Sequence, residues 1–394
     1  MPRVLALNSG SSSLKYSLYD LPTLVLVCEG NLCVGSGGGG GGGGEGQSFG
    51  SVGEACRHAL EELGASGATA GLVAVGHRIV HGGASLGAPV LVTQEVELEL
   101  QSLCTLAPEH NPVALSVIAA ARAVFPSLPH VACFDTAFHH SLPAVASTYA
   151  LPAKLKDGGV LRKYGFHGLS LTYIAGVLDE MGLLKDRKVV IAHLGHGASL
   201  SAVEDGICIE TTMGLTPCGG VPMCSRSGDL DPMVVLHLIQ QQGMTPDEVR
   251  FALNTQSGLV ALCGDKGNDM RALEMAAAQG SGDATARAAI DLYAYRLRLA
   301  VGSLAAALRG VDVLVFTAGI GEKSAGTRRR VCDGLGFLGI DIDEQANNNI
   351  KNQGAGITIS SEKSRVKVLV IPTNEQIVIA KQTAEVVSAL SGLA

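Results

Sequence analysis

One pattern occurs twice in this chain and restricts its fold more than any other feature. An apolar strand is followed by a polar residue, any residue, Gly, small residues, Ser-Leu and a second strand. In the first copy, residues 4–7 read as a buried strand and 14–19 as its partner, joined by Asn8-Ser9-Gly10-Ser11-Ser12-Ser13. Residues 189–203, VVIAHLGHGASLSAV, repeat the order. Asn8 corresponds to His193, Gly10 to Gly195 and Ser13-Leu14 to Ser199-Leu200, with one extra residue in the second copy. The copies lie 185 residues apart (193 − 8), nearly half of the 394-residue chain. Similarity at that interval indicates a duplicated domain rather than a short repeat array, and the length suits two cores better than one.

A turn of this composition can offer backbone N–H groups and hydroxyls to a phosphate chain, with Lys15 near enough to add charge. Taken singly, the first stretch also reads as an ordinary Ser-rich hairpin; the repetition favours the phosphate reading. Two such hairpins facing each other are the layout of the actin, hexokinase and Hsp70 superfamily, which the chain resembles. The resemblance implies an α/β fold of two duplicated actin-like (ribonuclease H-like) domains with a nucleotide cleft between them. The expected division is residues 1–136 together with 376–394, the terminal helix returning to the first domain, and residues 137–375.

A formal charge of −7 counts against a nucleic-acid partner, and no Lys/Arg run marks a membrane surface. An acidic chain that binds anions must concentrate positive charge locally, so isolated Arg residues in Gly-rich settings stand out. The ten Cys residues form no CxxC pair and no zinc-type spacing. With no signal peptide and no long apolar span, that usage indicates a reducing cytoplasm.

Residues 72–80 read as a strand, and Arg78 falls inside its apolar pattern, where an unpaired charge is costly; it needs an anion from the protein or from a ligand. His77 and His81 read as structural hydrogen-bonders. The strand 130–134 brings Asp135 to its end, where α/β folds often set a catalytic carboxylate; a cap for the next element is an equal reading. Arg226, in Ser225-Arg226-Ser227-Gly228-Asp229, is again alone among small residues. The strand 311–317 runs into Ala318-Gly319-Ile320-Gly321-Glu322-Lys323-Ser324. That stretch lacks Walker A spacing but reads as a strand-to-helix turn able to hold a nucleotide. Helices are expected at 54–63, 95–123 with a break at 107–112, 169–181, 232–241, 246–254, 270–279, 283–309 and 376–390. The eight glycines at 37–44 read as a flexible surface loop.

Eight segments then coincide, in order, with the acetate kinase family of short-chain carboxylate kinases, which the chain resembles over nearly its whole length: NSGSSSLK, GHRIVHGG, FDTAFH, YGFHG, HLGHGAS, SRSGDLDP, FTAGIGE and PTNE. The resemblance implies ATP or ADP as substrate and roles for matching positions. Asn8 and Glu375 would belong to a Mg²⁺ (or Mn²⁺) site, and Lys15 would lie near the phosphates. Arg78 and Arg226 would clamp the carboxylate and the transferring phosphoryl group. Asp135 would be the essential acidic residue and His167 the transition-state stabiliser. His193, Leu194, Gly195, His196 and Gly197 match one nucleotide-contacting segment. Asp269, Met270 and Arg271 match a second, and Gly319, Ile320, Gly321, Glu322 and Lys323 a third. Val80, Phe166 and Pro217 match the apolar wall around the substrate's alkyl group. The family is typically homodimeric. Four positions depart from its pattern: Glu109 replaces Leu in LAPLHNP, His196 the Asn of LGNG, Lys323 the Asn of GIGEN, and Leu171 a His after the HG loop.

The chemistry favours this assortment independently. A carboxylate substrate has a pKa of about 4, like Asp or Glu, and is a ready nucleophile without a general base. It needs relief from anion–anion repulsion and in-line alignment with the γ-phosphorus. Two Arg residues, Mg²⁺ and a His donor supply positive potential where charge spreads over the equatorial oxygens. Asp135 is therefore assigned to ordering Mg²⁺ waters or the clamp. Acetate is the expected acceptor, with propionate or butyrate as alternatives in the same chemistry, and a non-catalytic nucleotide-binding paralogue as the alternative from another class.

Overall fold

The computed structural model describes residues 1–34, 49–278, 282–350, 356–390 and 392; the glycine run at 37–44 lies outside them. The chain divides into two compact units. The first comprises Met1–His140, Gly168–Ser170 and Asn374–Ala394, and the second Ser141–His167 and Leu171–Thr373.

The first unit is built on β1 (Arg3–Ser9), β2 (Ser13–Asp20), β3 (Val25–Cys33), β4 (Leu72–Ile79), β5 (Val90–Leu91) and β6 (His130–Phe134), in the spatial order β3-β2-β1-β4-β6-β5. β1 runs antiparallel to β2 and parallel to β4, which is parallel to β6. β6 is buried along its whole length and β1 from Val4 onward. Covered on both faces, these strands read in sequence as apolar runs rather than as an alternation. The helices Val52–Ala65 and Asn111–Val124 share a core with one face of the sheet. The first buries Val52, Ala55, Cys56, Ala59, Leu60 and Leu63, spaced by three and one so that they form a single stripe, and Ser51 caps its start by accepting from the Glu54 amide. That stripe packs with Leu5, Leu7, Leu18 and Val75, each fully buried side chain contributing about 1.5–3 kcal/mol.

The terminal helix Glu375–Leu390 packs against β1, β4 and β6. Gly76 of β4 permits the close approach: a Cβ there would lie 2.1 Å from Thr383 Oγ1 and 2.7 Å from Ile379 Cγ2. Successive strand residues alternate faces, so Val75 serves the helix pair and Gly76 the terminal helix.

The second unit repeats this plan. Its strands are β7 (Lys188–Leu194), β8 (Ala198–Glu204), β9 (Ile207–Thr211), β10 (Val313–Thr317), β11 (Ile357–Thr358) and β12 (Lys367–Val370), in the order β9-β8-β7-β10-β12-β11. This matches the first sheet strand for strand. Even the two-residue edge strands correspond, β5 antiparallel to β6 and β11 antiparallel to β12. The long helix Ala284–Leu308 packs on β7, β8 and β9. Asp283 caps it by accepting from the Thr285 and Ala286 amides, and it ends where Arg309 turns left-handed at φ 59°.

The expected correspondence between the hairpins needs one correction. The ladder pairs Asn8 with Lys15 but His193 with Ser199. Ser199 therefore occupies the ladder position of Lys15, not of Ser13. The second hairpin closes tighter, with the Gly195 amide donating to the Gly197 carbonyl where Gly10 reaches on to Ser13.

Candidate functional site

Asn8, Arg78 and Asp135 come from the C-terminal ends of β1, β4 and β6, neighbouring parallel strands, which is where open α/β sheets gather ligand-binding groups. Glu375 opens the terminal helix of the same unit. The four side chains form one hydrogen-bonded run. Glu375 Oε2 accepts from Asn8 Nδ2 at 2.9 Å, and Asn8 Oδ1 accepts from Arg78 Nη1 at 3.0 Å. Arg78 then donates from Nε at 3.0 Å and Nη2 at 2.7 Å to Asp135 Oδ2. The anion that Arg78 required is thus a protein carboxylate. Asp135 does not cap the turn that follows it, which starts from Thr136: Oδ2 is committed to Arg78, Oδ1 is buried with no close partner, and the Leu169 amide at the start of Gly168–Glu180 favours the ionised carboxyl.

Burial raises the Asp135 carboxyl above its ordinary range; Arg78 opposes that shift and the Glu375 charge adds to it. Burial works against the Arg78 cation too, but Asp135 and then Glu375 outweigh it and hold the guanidinium charged. A donor set of two carboxylates with one open buried oxygen fits Mg²⁺, which keeps several waters and takes only one or two protein carboxylates beside phosphate oxygens. Asn8 has its amide engaged on both sides, so it bridges Glu375 to Arg78 in this arrangement. Among the described residues no group of three or more His, Cys, Asp or Glu is poised to hold a metal. Lys15, on β2 opposite Asn8, is exposed.

In the second unit, His167 stands at the N-terminus of the helix Gly168–Glu180 in a left-handed conformation, φ 61°. Its ring stacks on His193, centroids 4.0 Å apart and planes 16° apart, and its Nδ1 lies 2.9 Å from Ser199 Oγ. Gly197 is a close-approach position: a Cβ there would lie 3.2 Å from Arg226 Nη1 and 3.4 Å from His167 Nε2. Arg226 and His167 thus converge over the same turn, with Arg226 Nη1 also donating to the Pro217 carbonyl at 3.3 Å. Phe166 is fully buried, as is Val80 of the first unit, while Pro217 is half-buried.

The three segments expected to contact a nucleotide line one cavity of about 260 Å³ in the second unit, through Gly195 and His196, Asp269 to Arg271, and Gly319, Ile320 and Lys323. His193, Leu194, Gly197, Gly321 and Glu322 do not line it; the His193 ring is stacked on His167 instead. Leu194 is buried in β7, the Gly321 carbonyl accepts from Arg328, and Glu322 Oε1 accepts from the Thr373 amide. Two lining residues escaped sequence reasoning, Cys224 and Asn268; Ser324, which also lines the cavity, closes the strand-to-helix turn read from the sequence. Asn268 could have been found as the neighbour of Asp269; nothing local marked Cys224. His196 Nε2 lies 3.4 Å from Asn268 Oδ1, and burial, with a contribution from Arg226, depresses the His196 pKa. Glu109 is half-buried in the turn before Asn111–Val124, and Leu171 is fully buried in its helix.

A family model described as the acetokinase family matches residues 3–381. The chain is 41% identical over 399 residues to an acetate kinase of Clostridium botulinum (strain Hall), covering 98% of this chain and 99% of that one. It is 44% identical over 402 residues to an acetate kinase of Leifsonia xyli subsp. xyli, covering 99% and 100%. Among solved structures, the Porphyromonas gingivalis acetate kinase superposes with a TM-score of 0.87 at 34% identity, covering 98% of this chain and 100% of that one. A propionate kinase from Francisella tularensis gives 0.86 at 34% identity, with the same coverage.

Proposed function

The chain belongs to the acetokinase family, and on that premise we propose that it moves the γ-phosphoryl group of ATP reversibly to acetate, giving acetyl phosphate and ADP by direct in-line transfer. The observation that carries this reading is the single cavity lined by three sequence-distant nucleotide segments, whose Gly195-His196 rim continues into the Gly197 turn beneath Arg226 and His167.

Acetate arrives ionised, so none of these residues has to remove a proton. Arg78, held by Asp135 and Asn8, presents a fixed positive charge to the acyl carboxylate, and Arg226 does the same for the transferring group. His167 donates from Nε2 to the charge that accumulates on the equatorial oxygens. Asp135 and Glu375 would hold Mg²⁺ through its waters, with Asn8 belonging to the site by orienting Glu375 against Arg78; bound there, the ion would neutralise phosphate charge. Val80, Phe166 and Pro217 are assigned to the apolar wall around the methyl group, and Lys15 to the phosphates. Loss of either Arg should lower the rate by about 10³ or more.

Two broader assignments accompany this one. The apolar residues exposed on the helices Pro232–Gln240 and Pro246–Thr255, among them Met233, Val234, Leu236 and Phe251, support a homodimer. The ten cysteines, none of them in a disulfide, support a reducing cytoplasm, and no helix among the described residues is long and apolar enough to cross a membrane.

Hydroxylamine trapping with ATP, Mg²⁺ and a series of short carboxylates tests the reading. Acetohydroxamate should form fastest. A larger yield from propionate or butyrate would move the acceptor assignment, and no hydroxamate from any acid would remove the kinase reading.

A further inference from the structure

Ser199 has no place in the assignments above, yet it is fully buried and its Oγ lies 2.9 Å from Nδ1 of His167. We infer that Ser199 is a positioning residue that fixes which ring nitrogen of His167 carries the proton, by donating its hydroxyl hydrogen to Nδ1. The inference rests on the reading of His167 as the donor to the transferring phosphoryl group.

The argument is one of hydrogen-bond supply. A serine hydroxyl has one hydrogen to give, and a buried hydroxyl that gives it to nothing is penalised. The Nδ1 of His167 is the one side-chain partner found for Ser199 Oγ among the described residues. Were Nδ1 protonated, it would donate to Oγ and strand the serine hydrogen inside the protein. The neutral ring avoids this by leaving Nδ1 bare as an acceptor, which puts its proton on Nε2. That nitrogen faces the Gly197 turn, on the same side as Arg226 Nη1.

The surroundings hold this pairing rigidly. Ser199 sits on β8 directly opposite His193, and the His193 ring stacks at 4.0 Å on that of His167. The ring is thus fixed on one face by His193 and at one edge by Ser199, two residues paired in the same hairpin. Such an arrangement sets the imidazole plane as well as its tautomer. It also gives a reason for the shorter turn of this hairpin. The tighter closure brings a serine to the ladder position that Lys15 fills in the first copy.

The test uses the full-length chain with Ser199→Ala, Ser199→Thr and His167→Ala, each checked by thermal melting. Nitrogen-15 NMR of labelled histidine should show His167 protonated at Nε2 in the parent protein and mixed or reversed in Ser199→Ala. The alanine variant should lose about 10–100-fold in kcat while KM for ATP and acetate stays within about twofold. Ser199→Thr, which keeps the hydroxyl, should recover most of both signals. If Ser199→Ala keeps the Nε2–H tautomer and the parent kcat while His167→Ala is impaired, the role of Ser199 is overturned and that of His167 stands. If His167→Ala itself turns over at the parent rate, the underlying reading fails first.

Discussion

Arg78 gives two of its hydrogen bonds, at 3.0 and 2.7 Å, to one oxygen of Asp135 and leaves the other oxygen buried and unpartnered. A purely structural ion pair would use both carboxylate oxygens in a fork, the stronger geometry. Holding one oxygen back weakens the pair and keeps a hard ligand atom available. Replacing Asp135 by Leu should strand the Arg78 cation and destabilise the protein by about 3–5 kcal/mol. The double variant Arg78→Leu/Asp135→Leu should recover most of that loss in urea unfolding and no hydroxamate formation. Recovery of both would make the pair dispensable for turnover.

Gly197→Ala tests the convergence of Arg226 and His167. The new methyl would meet side chains rather than backbone, the end of Arg226 at 3.2 Å and the edge of the His167 ring at 3.4 Å, so the fold should survive with little change in melting temperature. Displacing both groups by a fraction of an ångström should lower kcat by about 10². A parent rate in trapping assays would place the reacting atoms elsewhere.

Arg328 is a buried cation hydrogen-bonded to neutral acceptors. It donates to Asn347 Oδ1 and to the carbonyls of Gly321, Glu322 and Asn347, all at 2.8–2.9 Å. Burial lowers its pKa to about 10, which still leaves it charged at neutral pH. Its contacts pin the turn that carries Gly319, Ile320 and Lys323 into the cavity proposed to take the nucleotide. Arg328→Met should raise KM for ATP by tenfold or more, on the order of 1.4 kcal/mol, and leave KM for acetate near the parent value. Equal changes in both constants would point to general loosening instead.

Much of this was legible in the chain, for identifiable reasons. The strand at 130–134 was bounded as observed because a buried parallel strand is a short apolar run closed by turn residues. The helix expected at 246–254 forms at Pro246–Thr255, where Thr245 and Glu248 make a reciprocal capping box that the sequence also carries. The two-residue strands Val90–Leu91 and Ile357–Thr358 were too short to carry a period. The helices Gly258–Cys263 and Ala325–Cys332 were hidden because each is too short to show an apolar period, although Ser324 caps the latter. The site shows the same division. Arg78 declared itself as a charge in an apolar strand. Ser199 could not, because a serine following small residues in a hairpin gives no sign of which partner its hydroxyl will meet. The hairpin alignment slipped for a related reason: several small residues fit the pattern equally, and only the ladder fixes the register.

His77 and His130 should give the protein an acid sensitivity separate from the groups proposed to act in transfer. His77 Nε2 lies 2.9 Å from His130 Nδ1, and His130 Nε2 lies 3.2 Å from the Phe125 carbonyl. That carbonyl can only accept, so His130 carries its proton on Nε2 and its Nδ1 accepts a hydrogen bond from Nε2–H of His77, whose own Nδ1 is left buried without a partner. Burial lowers the pKa of both rings, and for His77 the neighbouring His130 adds to the effect. The unfolded chain therefore binds more protons than the folded one once pH drops below the ordinary histidine value of about 6.5. The stability that the pair contributes is complete above that value and is lost as pH falls through it toward the lower folded values. Each ring adds a slope of at most about 1.4 kcal/mol per pH unit. Urea midpoints measured from pH 7.5 down to about 5.5 should decline, and His77→Leu should flatten the decline while leaving turnover at pH 7.5 unchanged. An identical slope in the variant would assign the acid sensitivity to other groups.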